Sequence, residues 1–269
     1  MEIIRSVKHE KVAQIIKLSD FANRNRSHCV PVYGSEALEW AITANLIIDS
    51  IFISQSADIP LLISKFPNIK NKYYITDFLN KKITNVSHIT DVCALAYKNE
   101  KDIGNAMENS ENIIALDRVL DHGNIGTIIR TMRCFGFNNL VFTNYNMDVY
   151  YKNIVNASRG EAFKIISKQV EINQLITMLR THNYQIISTA SNYSLNINDS
   201  TNILSGRINA PYALIFGNET NGIEPGLINQ SDAVIGCPMD NGIDSLNVSV
   251  AAGIILNKLS QLSLPEYKI

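Results

Sequence analysis

Short apolar runs alternate with amphipathic stretches along most of this chain, and the period of each stretch predicts its element. Val12, Ile15, Ile16 and Leu18 give an apolar face to a basic helix within 5–27, ahead of the polar residues 23–27. A short strand with a turn follows over 29–34, then a helix over 35–42 with Ser35 as its N-cap. Strands are expected over 46–54, 73–76 and 92–97, with helices over 58–66 and from Phe78, the latter capped by Asp77. This alternation predicts a small α/β domain over residues 1–100.

Residues 98–110 are polar and patternless, which places a linker at 101–110. Beyond it, strands are expected over 112–116, 139–143, 163–166, 185–189, 212–216 and 233–236. Helices are expected over 125–135, 149–158, 172–181 and 247–262, with a loop over 117–124. Strands that alternate with helices in this way imply a parallel sheet covered on both faces, with ligands beyond its carboxyl ends. In the last helix Val248, Ala251, Ala252, Ile255 and Leu259 recur at helical spacing, while Ile254 and Leu256 fall on other faces. Such a helix is buried all round, or between two subunits. Its entry, from Ile243 and Asp244 to Ser249, is polar, and Asn247 or Ser249 is placed to cap it.

The chain has 269 residues, 46% hydrophobic and 18% charged, which suits two soluble globular domains. No apolar run approaches the roughly 18 residues that a membrane span requires, and the first residues carry no signal core. Cys29, Cys93, Cys134 and Cys237 form no C-x-x-C pair, so reduced thiols and a cytoplasmic location are expected. The five histidines show no metal-ligand spacing, so no metal is expected. Residues 1–101 hold 13 Lys and Arg against 10 Asp and Glu, and the remainder 11 against 15, giving +3 and −4 around a net −1. A mildly basic front half permits RNA contact without establishing it.

Three polar stretches carry the candidate chemistry. Asn124, Gly126 and Arg130 follow a strand in a Gly-containing turn that opens a helix, where an Arg commonly meets a phosphate, a carboxylate or a structural ion-pair partner. Phe216, Gly217, Glu219 and Gly222 end a buried strand abruptly. Cys237, Pro238 and Met239 close another strand and lead to Ser245, Leu246, Asn247, Ser249 and Ala251. In their order and spacing these stretches resemble the N-x-G-x-x-x-R, F-G-x-E-x-x-G and S-L-N-x-S-x-A motifs of the SpoU/TrmH branch of the SPOUT superfamily of RNA ribose 2′-O-methyltransferases. The resemblance covers about residues 110–262. The sequence Ala157-Ser158-Arg159-Gly160 is similar to the thiostrepton/nosiheptide-resistance subgroup, which methylates large-subunit ribosomal RNA. His122-Gly123 departs from the Pro-containing loop of the wider family, a difference that bears on the RNA target rather than on the chemistry.

The resemblance implies an α/β protein with a C-terminal trefoil-knot methyltransferase domain over 111–269 and an L30e-like RNA-binding domain over 1–100. Its cofactor would be S-adenosylmethionine, held by Thr189, Gly217, Cys237, Met239, Leu246 and Asn247. Arg130 would hold the target phosphate or the developing alkoxide, from its own or a partner subunit. Asn124 would position the ribose, Glu219 would orient Arg130 or its loop, and Asn247 and Ser249 would fix the knot and the hydroxyl. Arg159 would contact RNA. The implied partners are RNA, ribosomal rather than transfer RNA, and a second copy of the chain; neither a membrane nor a metal is among them. A transfer-RNA substrate, or an inactive RNA-binding dimer of the same fold, is the alternative. A nucleotide-dependent oxidoreductase fails because the G-x-G-x-x-G fingerprint is absent.

Overall fold

The computed structural model describes residues 3–85, 88–99, 102–143, 146–190, 195–196, 208–240 and 245–263. Two compact units emerge, one of residues 1–100 with 148–164 and one of residues 101–147 with 165–269.

In the first unit five strands form a mixed sheet: β1 (Ile3–Ile4), β2 (Cys29–Tyr33), β3 (Ile48–Ser54), β4 (Lys72–Ile75) and β5 (Val92–Tyr97), in the order β1-β4-β3-β5-β2. Pro31 cannot donate to a ladder, and it lies on the edge strand β2, where that loss is tolerated. Val12 and Ile15 of helix Glu10–Lys17 join Phe52, Ile75, Leu79 and Leu95 in one core. The polar run after that helix forms a second short helix, Phe21–Asn25, and its Arg24 is only 2% exposed. Arg24 Nε donates to Asp148 Oδ2 at 2.7 Å, and its NH1 donates to the carbonyls of Leu18 and Ser19. This ion pair ties residues 148–164 to the first unit, although the sequence places them between two strands of the second.

The second unit adds β6 (Ile113–Asp117), β7 (Asn139–Phe142), β8 (Ile166–Gln169), β9 (Gln185–Thr189), β10 (Leu195–Asn196), β11 (Tyr212–Gly217) and β12 (Ala233–Gly236). Their order is β10-β12-β9-β11-β6-β7-β8, with every pairing parallel. The chain steps outward from β6 to β8, then crosses to β9, and β11 later fills the place between β9 and β6. The connections therefore diverge at the β6/β11 boundary, where Gly217 pairs with Asp117. That divergence opens a crevice at the carboxyl ends.

Several sequence expectations shift by a residue or a turn. Gly34 and Thr76, rather than Ser35 and Asp77, are the N-caps of helices Ser35–Thr43 and Asp77–Thr84. The expected linker holds helix Ile103–Glu108, whose Ile103, Ala106 and Met107 are buried in the second unit's core. Phe163 and Ala162 are buried in a 3-10 turn, Glu161–Lys164, rather than in a strand. Ile243 and Asp244, the expected entry to the last helix, lie outside the described residues. No helix among the described residues is long and apolar enough to cross a membrane.

Breaking a buried ion pair strands its partner's charge. Arg24→Ala is expected to lower unfolding free energy by about 3 kcal/mol or more. Lys11→Ala, which removes the half-exposed partner of Asp49, is expected to cost below about 1 kcal/mol. Urea denaturation followed by tryptophan fluorescence measures both, and equal costs would contradict the assignment.

Candidate active site

The first polar stretch opens helix His122–Cys134 one turn earlier than its apolar period suggests. Asp121 is the N-cap, and its Oδ1 accepts from Asn124 N at 2.7 Å. Asn124 is therefore a first-turn helical residue rather than part of a loop. The second stretch turns sharply after β11: Asn218 Oδ1 accepts from the backbone N–H groups of Thr220 and Asn221. Gly217 admits no side chain, because a Cβ there would stand 2.3 Å from Ile223 N. The third stretch enters helix Val248–Ser263, where Asn247 Oδ1 accepts from Ser249 N at 2.9 Å and Ser249 Oγ at 2.6 Å. Asn247 is thus the cap, and Ser249 is capped.

These stretches meet through side chains. Asn247 Nδ2 donates to Asn124 Oδ1 at 3.1 Å, and Asn124 Nδ2 donates to Glu219 Oε1 at 2.9 Å. Four of the five residues expected to act in catalysis (Asn124, Glu219, Asn247 and Ser249) form one hydrogen-bonded row. The fifth, Arg130, does not join it. It stands on an exposed stripe of its helix with Gly123, Thr127 and Cys134, and no described residue forms a hydrogen bond or ion pair with it. Glu219, expected to orient Arg130 or its loop, accepts from Asn124. Arg159 belongs to the first unit, where its NH2 lies 3.2 Å from Glu36 Oε1 and its guanidinium 5.3 Å from the centre of the Trp40 ring.

Beside the row lies a cavity of about 370 Å³. Thr189, Gly217, Cys237, Met239 and Leu246, five of the six residues expected to hold a cofactor, line it; Asn247 adjoins it as the cap of the last helix. Sequence reasoning missed Ala190, Val248 and Ile255, which add small or apolar wall. Among the described residues of the lining, Glu219 is the one that is charged. Burial pushes the Cys237 thiol above its ordinary value, so Cys237 is a neutral wall rather than a nucleophile. Among the described residues no cluster of His, Cys, Asp or Glu could hold a metal.

The family model described as the SpoU rRNA Methylase family matches residues 111–257, more than half of the chain. The chain belongs to that family. It is 24% identical over 259 residues to the 23S rRNA (guanosine(2553)-2′-O)-methyltransferase RlmP of Bacillus subtilis strain 168, covering 96% of this chain and 99% of the relative. It is 27% identical over 156 residues to a 23S rRNA (adenosine(1067)-2′-O)-methyltransferase of Streptomyces laurentii, covering 58% of this chain and 56% of the relative. The AdoMet-bound rRNA methyltransferase from Sinorhizobium meliloti is similar in fold, with a TM-score of 0.77, 21% identity and 98% and 99% of the two chains covered.

A methylase of this family takes its methyl group from S-adenosylmethionine, and the cavity suits that molecule. Its small and apolar walls accommodate a flat ring. Glu219 gives the described lining a carboxylate, the charge that would complement a sulfonium, and the bare backbone of Gly217 lets the segment at Gly222 and Ile223 pack directly against the end of the strand.

Two substitutions test this site. Gly217→Ala is expected to weaken S-adenosylhomocysteine binding by about tenfold or more, measured by calorimetry, because the Ile223 backbone must move. Asn124→Asp keeps the shape but sets a carboxylate against Glu219 in place of an amide donor. Methyl transfer is expected to fall about a hundredfold at neutral pH, with partial recovery as the pH drops and the pair shares a proton. A flat pH–rate ratio between the variant and the wild-type protein would contradict that pairing.

Proposed function

We propose that the protein transfers a methyl group from S-adenosylmethionine to a ribose 2′-hydroxyl in large-subunit ribosomal RNA, and that it acts as a homodimer in the cytoplasm. The observation that carries this reading is the row from Ser249 through Asn247 and Asn124 to Glu219 at the edge of the cavity. The two relatives named above are both 23S rRNA 2′-O-methyltransferases, and one aligns over 96% of this chain; this favours ribosomal over transfer RNA. The expected trefoil knot, the L30e-like character of the first unit and RNA contact by Arg159 belong to the same proposal.

When bound, S-adenosylmethionine supplies an electrophilic methyl group. The chain must present the hydroxyl to it, remove a proton and stabilise the charge that develops. Asn124, held between Glu219 and Asn247, orients the ribose. Asn247 and Ser249 fix the helix entry on which the methyl donor rests. A guanidinium scarcely deprotonates, so Arg130 does not act as a base; it stabilises the alkoxide or an adjacent phosphate. Because Arg130 stands outside its own chain's row, we assign it to the partner's site. The dimer surface is supported by Val250 and Ile254, 51% and 36% exposed one turn apart on the last helix, and by Leu120 at 61%.

Complementation tests function and arrangement together. Arg130→Ala and Asn124→Ala are each expected to abolish transfer of labelled methyl groups to ribosomal RNA while binding S-adenosylhomocysteine within about twofold of wild type. Mixed and re-associated, they are expected to recover about a quarter of wild-type activity, since half of the dimers would then carry one intact site of two. No recovery in verified mixed dimers would place Arg130 in its own subunit's site.

A further inference from the structure

Beneath the row lies a second set of polar contacts that the motifs do not include. Asp117 ends β6 with its side chain 3% exposed, directly opposite Gly217 in the sheet register. Thr143 Oγ1 donates to its Oδ1 at 2.8 Å, while Arg118 NH2 and Glu224 N donate to its Oδ2 at 2.9 and 3.3 Å. Arg118 holds a left-handed backbone with φ of 57°, which is uncommon outside glycine and asparagine. In that conformation its carbonyl accepts from Asn218 Nδ2 at 2.9 Å, and its NH2 also donates to Gly222 O at 3.3 Å.

The contacts converge on a single loop. Residues 218, 222 and 224 are its start, its bend and its exit, and the loop between them carries Glu219 and one wall of the cavity. Gly217 stands so close to Ile223 that a small displacement of this loop alters the cavity directly. We infer that Asp117 and Arg118 are positioning residues: together they clamp the loop of residues 217–224 and thereby set the cavity wall and the height at which Glu219 meets Asn124. This rests on the reading of the cavity as the S-adenosylmethionine site. Neither side chain lines the cavity, so the pair acts through the loop. An exposed ion pair between sequence neighbours contributes little to stability. Here the carboxylate is buried and fully engaged, and Arg118, 41% exposed, reaches across to a segment about a hundred residues later.

Arg118→Ala removes the guanidinium's hold on Gly222 and leaves Thr143 and Glu224 N on Asp117. Calorimetry on the full-length protein is expected to show S-adenosylhomocysteine binding weakened about tenfold, with the melting temperature of the free protein within a few degrees of wild type. In steady-state assays KM for S-adenosylmethionine is expected to rise, while KM for RNA stays fixed. Arg118→Lys, which keeps charge without the fork, is expected to fall between the two. Thr143→Val, which removes the hydroxyl donor from Asp117 Oδ1 and leaves only Arg118 Nε on it, is expected to shift cofactor affinity in the same direction and guards against a folding defect in either Arg118 variant. Wild-type affinity in Arg118→Ala and Thr143→Val would overturn the clamp and leave the methyltransferase reading standing. Failure of the wild-type protein itself to bind S-adenosylhomocysteine would overturn both.

Discussion

The site depends on the direction in which one short row of amides is polarised. Asn247 caps the last helix, so its carbonyl oxygen must accept from Ser249 N, and its NH2 is thereby turned outward. Asn124 receives that NH2 on its own oxygen and is left with donors to spend. Glu219, as a carboxylate, is an acceptor only and takes them. A helix start at one end and a fixed charge at the other leave a single consistent orientation for both amides. No member is deeply buried, so each bond contributes only about 1 kcal/mol. The value of the row lies in orientation rather than stability, which is what a site that must align a hydroxyl with a methyl group requires.

Topology brings residues 124, 219 and 247 together. In a parallel sheet every strand delivers its carboxyl end to the same edge. The crossing from β8 to β9, followed by insertion of β11 beside β6, makes Asp117 and Gly217 ladder neighbours. From there the two chains diverge by local rules. One bends through the left-handed Arg118 to a helix capped by Asp121; the other folds over Asn218 into a turn. The last helix lies against both helix His122–Cys134 and β11, which brings Asn247 within reach of Asn124.

Much of this was legible in the residues. Runs such as 113–116 and 213–216 are apolar without alternation because both faces of a central parallel strand are buried, and both are strands here. The stretch 185–189 and the helix 172–181 needed no revision. The misplaced caps at Ser35 and Asp77 have one cause: capping is a property of backbone angles, and neighbouring residues that can all cap do not reveal which one leaves the helical region. The helix within the expected linker has too few residues to show a period, and tertiary burial of Ile103 and Met107 sustains it. Asp117 and Arg118 fell within the loop expected over 117–124, because adjacency along the chain conceals that one is buried at the end of a strand and the other left-handed. The motif residues were recognisable by type, but their pairing was not: Glu219 was expected to orient Arg130 or its loop, and the fold sets it against the Asn124 amide.

That selection has an electrostatic consequence. Among the described residues, the cavity lining contains one carboxylate and no Lys or Arg, which suits a sulfonium but not the phosphates that flank a target ribose. A phosphate brought within about 4–6 Å of Glu219 meets repulsion that the amides of Asn124 and Asn247 do not offset, since a dipole falls off faster than a charge. The surrounding part of the chain does not correct this, because residues 102–269 carry −4. Arg118, the guanidinium nearest the loop of Glu219, is engaged by Asp117 and Gly222 O, so a cation for the phosphate comes from outside the described lining. Within the same helix as Asn124, Arg130 is charged, exposed and without a described partner, yet it lies outside the row. A cation placed on the outer stripe of one subunit is lost to that subunit's own chemistry and available to a neighbour's. Under the dimer proposed here, RNA binding and methyl-donor binding are separated by charge: the negative lining keeps the cofactor, and the partner's guanidinium admits the substrate.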